Sequence, residues 1–186
     1  MKTVAVYLGS SDGFSPVFSD NAAKVGRMLA ENGIGMVYGG ASVGTMWAMA
    51  SAALESGGQV TGVFPENFRG RKEYRDRNIE IKASGLTQMI CVKNLEERIK
   101  VMTELSEACI ILPGSFGTMH ELFSHIVGLQ LGLHAKPVFI LDLDGYYSPL
   151  RQLAENMVDN GFMPERHRAL LRFCSSVEEL EAELSK

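Results

Sequence analysis

Short, continuously apolar runs alternate along this chain with segments of helical period, and most of the runs are cut off by glycine or proline. The runs cover residues 4–8, ending at Gly9; 35–38, ending at Gly39-Gly40; 59–64, ended by Pro65; 88–92; 108–112, stopped by Pro113-Gly114; and 138–141. A strand that is apolar at every position is buried on both faces, and strands separated by helices are joined by crossovers that make them parallel. Helical spacing fills the intervals 16–32, 43–55, 95–105, 118–131, 146–160 and 176–184. In the first of these, Val17, Ala22, Val25 and Leu29 form the inward stripe and Gly33 the stop, while Ser175 or Ser176 caps the last. The pattern predicts an α/β fold: one Rossmann-like domain over residues 1–186 with a doubly wound, mostly parallel sheet. In such a sheet, ligands bind beyond the carboxyl ends of the strands.

Composition narrows the function classes. The 186 residues can bury a substantial core without disulfides or a structural metal. The net charge is -4 and no lysine-arginine block stands out, which disfavours a nucleic acid polymer as partner. The stretch from Arg69 to Arg77 comes nearest, but Glu73 and Asp76 interrupt it; it reads as a solvated loop or as a flap facing a nucleotide. No apolar stretch reaches the ~18–20 residues that cross a bilayer, so no membrane partner is expected. Met1-Lys2-Thr3 leads straight into the first strand, so no signal peptide is expected either. The three cysteines lack CxxC spacing, which argues against a disulfide framework and a zinc site. Cys91 and Cys109 fall inside apolar runs and are expected as buried thiols. The default compartment is the cytoplasm.

Three loops follow predicted strands and therefore share one edge of a parallel sheet. They are Gly9-Ser10-Ser11-Asp12-Gly13, then Gly39-Gly40-Ala41-Ser42-Val43-Gly44-Thr45, and Pro113-Gly114-Ser115-Phe116-Gly117-Thr118. Glycines let backbone N–H groups approach an oxyanion closely, and a helix N-terminus adds unpaired donors and the positive end of its dipole. Any one such loop is equally a tight turn. Together they favour a phosphate monoester. None carries the lysine of a Walker A motif, and none fits GxGxxG with a later acidic residue, so ATP hydrolysis and ordinary NAD binding fit poorly.

Glu121 lies three residues after Thr118, a spacing that also fits a capping box with Thr118 as the cap. Beside an anion pocket the same carboxylate can assist water attack on a ribose or stabilise an oxocarbenium-like centre. Arg98 either pairs with a nearby helical acid such as Glu104, or holds a phosphate or ribose, or orients Glu121. His120 could face the same pocket or lie on the helix surface. His125, His134 and His167 form no metal-ligand spacing with acids, and no GxSxG nucleophile motif occurs, so neither a catalytic metal nor a cofactor is expected. A pyridoxal decarboxylase would need a Schiff-base lysine in a cofactor pocket, and nothing marks one.

These residues bear a family resemblance. The segment Pro113-Gly114-Ser115-Phe116-Gly117-Thr118-Met119-His120-Glu121 resembles the PGGxGTxxE signature of the LONELY GUY proteins, nucleoside 5′-monophosphate phosphoribohydrolases that activate cytokinins. The stretch from Tyr38 to Met46 resembles their YGGGxxGLM segment, and the stretch from Gln130 to Val138 and Asp144-Gly145-Tyr146-Tyr147 resemble further blocks. The likeness spans nearly the whole chain. It implies a homodimer with its pocket near the interface, Arg98 and Glu121 as the catalytic pair, and glycine loops that hold the phosphate. The implied substrate-binding set is Gly9, Ser10, Gly39, Gly40, Gly44, Gly114, Ser115, Phe116, Gly117, Thr118 and His120. The implied reaction releases a free base, such as an N6-modified adenine, and ribose 5-phosphate. The same reaction on another purine or pyrimidine monophosphate, or nucleotide binding without turnover, are the alternatives. Departures motivate them. Ser115 replaces the signature's second glycine, Trp47 a usual glycine and His120 a common glutamate. The family's MHERK segment reads Leu95-Glu96-Glu97-Arg98-Ile99, which keeps the arginine while Glu96 and Ile99 make that surface less positive, and residues 66–86 differ from the usual stretch.

Overall fold

The computed structural model describes residues 1–66 and 85–186. The stretch from Arg69 to Arg77 lies outside the described residues. Seven strands, β1 (Thr3–Tyr7), β2 (Gly35–Tyr38), β3 (Val60–Pro65), β4 (Gln88–Val92), β5 (Ala108–Ile111), β6 (Val138–Leu141) and β7 (Leu171–Cys174), form one sheet. Its order is β4-β3-β2-β1-β5-β6-β7, and every pairing is parallel. The helices among the described residues are α1 (Pro16–Glu31), α2 (Gly44–Glu55), α3 (Leu95–Leu105), α4 (Phe116–Gln130), α5 (Ser148–Asp159), α6 (Glu165–Arg168) and α7 (Val177–Leu184).

The six expected strands appear within one residue of their expected ends. β7 was not anticipated. It is a four-residue edge strand with the exposed Arg172 in its middle, and an edge position does not demand a continuous apolar run. The other edge supplies a correction: Cys91 is exposed, because among the described residues β4 has a strand neighbour on one side only, whereas Cys109 is buried in β5.

Continuous apolarity places one buried layer on each face of the sheet. Val4, Val6, Leu8, Met36, Tyr38 and Ile110 pack beneath α1, α2 and α7. Ala5, Tyr7, Val37, Cys109, Ile111 and Ile140 pack beneath α3, α4 and α5. Trp47 is partly buried against the first layer and fills space there. Burial of each large aliphatic side chain contributes roughly 1.5–3 kcal/mol, so the two layers rather than helix propensity hold the elements in place. Strand order reverses between β1 and β5, and there the loops after both strands diverge to opposite faces, opening the crevice in which ligands of such sheets bind.

The layer under α3 and α4 contains a buried histidine. His125 is 1% exposed, and its Nε2 lies 3.1 Å from the Tyr7 hydroxyl and 3.4 Å from the Thr103 hydroxyl. Burial, with smaller contributions from His134 and Lys136, pushes its pKa down from 6.5 to about 4. The folded chain therefore binds fewer protons than the unfolded chain between these values, and stability falls as pH drops through that window. The loss on going from pH 7 to pH 4 should reach about 3 kcal/mol in urea titrations, and His125→Gln should flatten that dependence. An acid dependence unchanged in the variant would show that other groups govern it.

Candidate active site

The three glycine loops meet at the rim above β1, β2 and β5, where they lock into one another through the backbone. The Gly9 N–H donates to the Pro113 carbonyl at 3.0 Å, and the Thr45 hydroxyl donates to the Gly9 carbonyl at 2.8 Å. Two glycines make this approach possible. Gly44 adopts φ +52°, and a Cβ there would come within 2.7 Å of the Ser10 carbonyl group. A Cβ on Gly114 would overlap the Thr118 side chain and approach the Gly9 nitrogen to 2.9 Å. The loops leave a cleft of about 200 Å³ lined by residues 9–13, Phe18, residues 113–115 and Tyr146. Gly9, Ser10, Gly114 and Ser115 of the expected phosphate set thus lie together, and Phe18 and Tyr146 are members that the loop pattern did not reveal.

The helix after the third loop begins earlier than expected. Its first residue is Phe116 and its N-cap is Ser115, whose side chain makes no capping bond. Thr118 is therefore inside the first turn, and the capping box that the Thr118–Glu121 spacing also fits does not form. The first turn tolerates Gly117, a weak helix former. The first helical hydrogen bond runs from the Met119 N–H to the Ser115 carbonyl at 3.0 Å, so the N–H groups of residues 116–118 precede the ladder and are open to an anion.

Freed from capping, Glu121 points inward and pairs with Arg98. The carboxylate residue is 3% exposed and the arginine 9%. Arg98 reaches it because Asn94 caps α3, accepting from the Glu97 N–H at 2.9 Å while Glu97 accepts from the Lys93 N–H at 2.6 Å. That start turns Arg98 and Met102 to the buried side of α3 and leaves Glu96 exposed. Glu104, an acid on the same helix, lies 3.9 Å from Lys100 instead. A Cβ on Gly39 would stand 3.4 Å from Arg98 Nη1 and 3.6 Å from Met46 Cε, so the second loop and α2 border the pair. Gly40 continues that loop at φ +76°. His120 is exposed on α4 and is not among the residues lining the cleft.

A larger hollow of about 430 Å³ lies between α5, α6 and β7, away from these loops. Its cations are already engaged, Arg168 with Glu165 at 2.6 Å and Arg151 with Asp142 at 3.6 Å. Among the described residues, no three His, Cys, Asp or Glu side chains gather as metal ligands would.

Removing one member of a buried ion pair strands the other. Arg98→Ala or Glu121→Ala should each lower stability by about 3–5 kcal/mol in urea unfolding. Arg98→Met combined with Glu121→Leu should recover most of that loss, because neither charge is left unpaired. Strict additivity of the two single effects would mean that the side chains act independently.

Residues 46–184 match a family model described as possible lysine decarboxylase. The chain is 37% identical over 177 residues to the cytokinin riboside 5′-monophosphate phosphoribohydrolase of Rhodococcoides fascians, covering 95% of this chain and 86% of that protein. It is 33% identical over 185 residues to the cytokinin riboside 5′-monophosphate phosphoribohydrolase LOG of Oryza sativa subsp. japonica, covering 100% of this chain and 73% of that one. A solved molybdenum cofactor binding protein from the phototrophic bacterium Rippkaea orientalis shares the fold with TM-score 0.71 at 18% identity, over 99% of this chain and 95% of that chain. Sequence likeness over the whole length, joined to the rim of glycine loops and its buried pair, makes this chain a member of the LONELY GUY (LOG) family of cytokinin riboside 5′-monophosphate phosphoribohydrolases.

Proposed function

We propose that this chain hydrolyses the N-glycosidic bond of a nucleoside 5′-monophosphate of the N6-modified adenosine type, giving the free base and ribose 5-phosphate. The observation that carries the reading is the Arg98–Glu121 pair, buried beside the glycine loops in a chain whose relatives bear the name of that reaction. The phosphate sits on the open amides at the start of α4 and on the Gly9 and Gly114 loops, a site where backbone dipoles favour an anion. That anchor sets the ribose against Glu121. As the bond to the base lengthens, its electron pair leaves with the base and positive charge grows on the anomeric carbon. The carboxylate stabilises that charge and takes one proton of the attacking water, while the departing base nitrogen takes up a proton from solvent and the carboxylate returns its own to solvent. Arg98 fixes the carboxylate in place. Lysine decarboxylation fits less well, since no lysine is among the described residues that line the cleft.

The protein acts as a homodimer in the cytoplasm. Along α4 and just beyond it, Phe116, Phe123, Val127, Leu131 and Leu133 form an exposed apolar ridge, from 39% to 93% exposed. Contiguous apolar surface of this kind marks an interface, and the ridge lies on the helix that carries Glu121.

Two measurements test the reading. Incubation with a panel of modified and unmodified purine and pyrimidine monophosphates should release free base, fastest from an N6-modified adenosine monophosphate, and Glu121→Ala and Arg98→Ala should each abolish it. Release from no member of the panel would leave a nucleotide-binding protein instead. Val127→Glu together with Leu131→Glu should shift the mass measured by light scattering from dimer to monomer.

A further inference from the structure

The block Asp144-Gly145-Tyr146-Tyr147 sits far from the glycine loops in sequence and has no part in the pair chemistry, yet its chain path is unusual. Asp144 is the one residue other than glycine with positive φ among the described residues, at 50°, and Gly145 follows at 71°. Two left-handed residues in succession swing the chain so that two neighbouring tyrosines reach the third loop. The Tyr147 hydroxyl donates to the Leu112 carbonyl at 2.7 Å, and the Tyr146 hydroxyl donates to the Gly114 carbonyl at 2.6 Å. The rings stand edge to face, 5.0 Å apart.

These two bonds have different consequences. In a trans peptide the carbonyl and the following N–H point in opposite directions. Tying back the Gly114 carbonyl therefore fixes the Ser115 N–H to point away from Tyr146, at the mouth of α4. The Pro113 carbonyl is tied to Gly9 and the Gly9 carbonyl to Thr45, which in the same way orient the N–H groups of Gly114 and Ser10. Among the described residues, no acceptor engages the N–H groups of Ser10, Gly114 or Ser115. The Leu112 carbonyl, by contrast, precedes proline, which has no N–H to orient.

We infer that Tyr146 is a positioning residue for phosphate binding: its hydroxyl holds the Gly114–Ser115 peptide with the amide turned outward to the ester oxygens, and Tyr147 has no such role. The inference rests on the proposed phosphate site and deepens it.

Tyr146→Phe removes one hydroxyl and keeps the ring against Phe18, 5.8 Å away, and against Tyr147. Its Kd for ribose 5-phosphate, measured by calorimetry on the full chain, should rise about tenfold, and KM for the best nucleotide should rise in parallel while kcat stays within about twofold. Tyr147→Phe loses a hydrogen bond of similar length, so it should reduce thermal stability yet leave Kd and KM unchanged. Equal Kd in Tyr146→Phe and wild type, equal effects of the two variants, or no binding of ribose 5-phosphate by the wild type would each overturn the inference. Wild type that binds ribose 5-phosphate but releases no base would instead overturn the proposed reaction while the calorimetric comparison still decides the role of Tyr146.

Discussion

A carboxylate and a guanidinium that are both withdrawn from water are stabilised there by holding each other. In this chain that constraint joins two helices from different crossovers: α3, which leads from β4 to β5, and α4, which leads from β5 to β6. The pair sits at the rim, and the neutral His125 lies one turn further along α4, against Tyr7 of β1 and Thr103 of α3. The two contacts fix how far each helix can slide over the sheet. Desolvation makes this an expensive way to gain stability, and apolar residues of similar size would serve the core as well. Retention of the charges fits the proposed reaction, in which a ribose meets a carboxylate whose position does not vary.

Around the pair, the proposed anion binding is left to the backbone. The chain is net acidic, and Glu96 lies exposed near the start of α3, so long-range attraction for a phosphate is weak. Short-range donors must do the work. The loops supply them by consuming their own carbonyls: Pro113, Gly114 and Gly9 each give up a carbonyl oxygen to a protein donor, and the amides that follow face outward. Such donors need no reorganisation when charge arrives, which is the condition under which electrostatic stabilisation is strongest. The uncapped Ser115 belongs to the same logic, because a side chain that satisfied the first turn of α4 would compete with the ligand.

Much of this was legible in the residues. Runs such as 35–38 and 108–112 announced strands buried on both faces, and glycine or proline at their ends announced the loops. Where reading failed, the physics was non-local. Nothing in Leu171–Cys174 signals a strand except the vacant edge beside β6, and Cys91 looks buried until β4 proves to be the opposite edge. Thr118 and Glu121 have capping-box spacing, yet an arginine from another helix outbids the local backbone for the carboxylate. Tyr146 was visible only as part of a family block, because its partner, the Gly114 carbonyl, is 32 residues away.

The sequence by itself determined the alternation of elements, the parallel sheet, the three glycine loops and the kinship with phosphoribohydrolases, since each depends on periodicity or on short contiguous motifs. Tertiary structure alone decided that Arg98 meets Glu121, that Gly9, Gly44 and Gly114 interlock, and that a tyrosine from beyond β6 braces the third loop. Those contacts join residues distant in sequence, and only the packing of helices and loops over a shared sheet brings their atoms within reach.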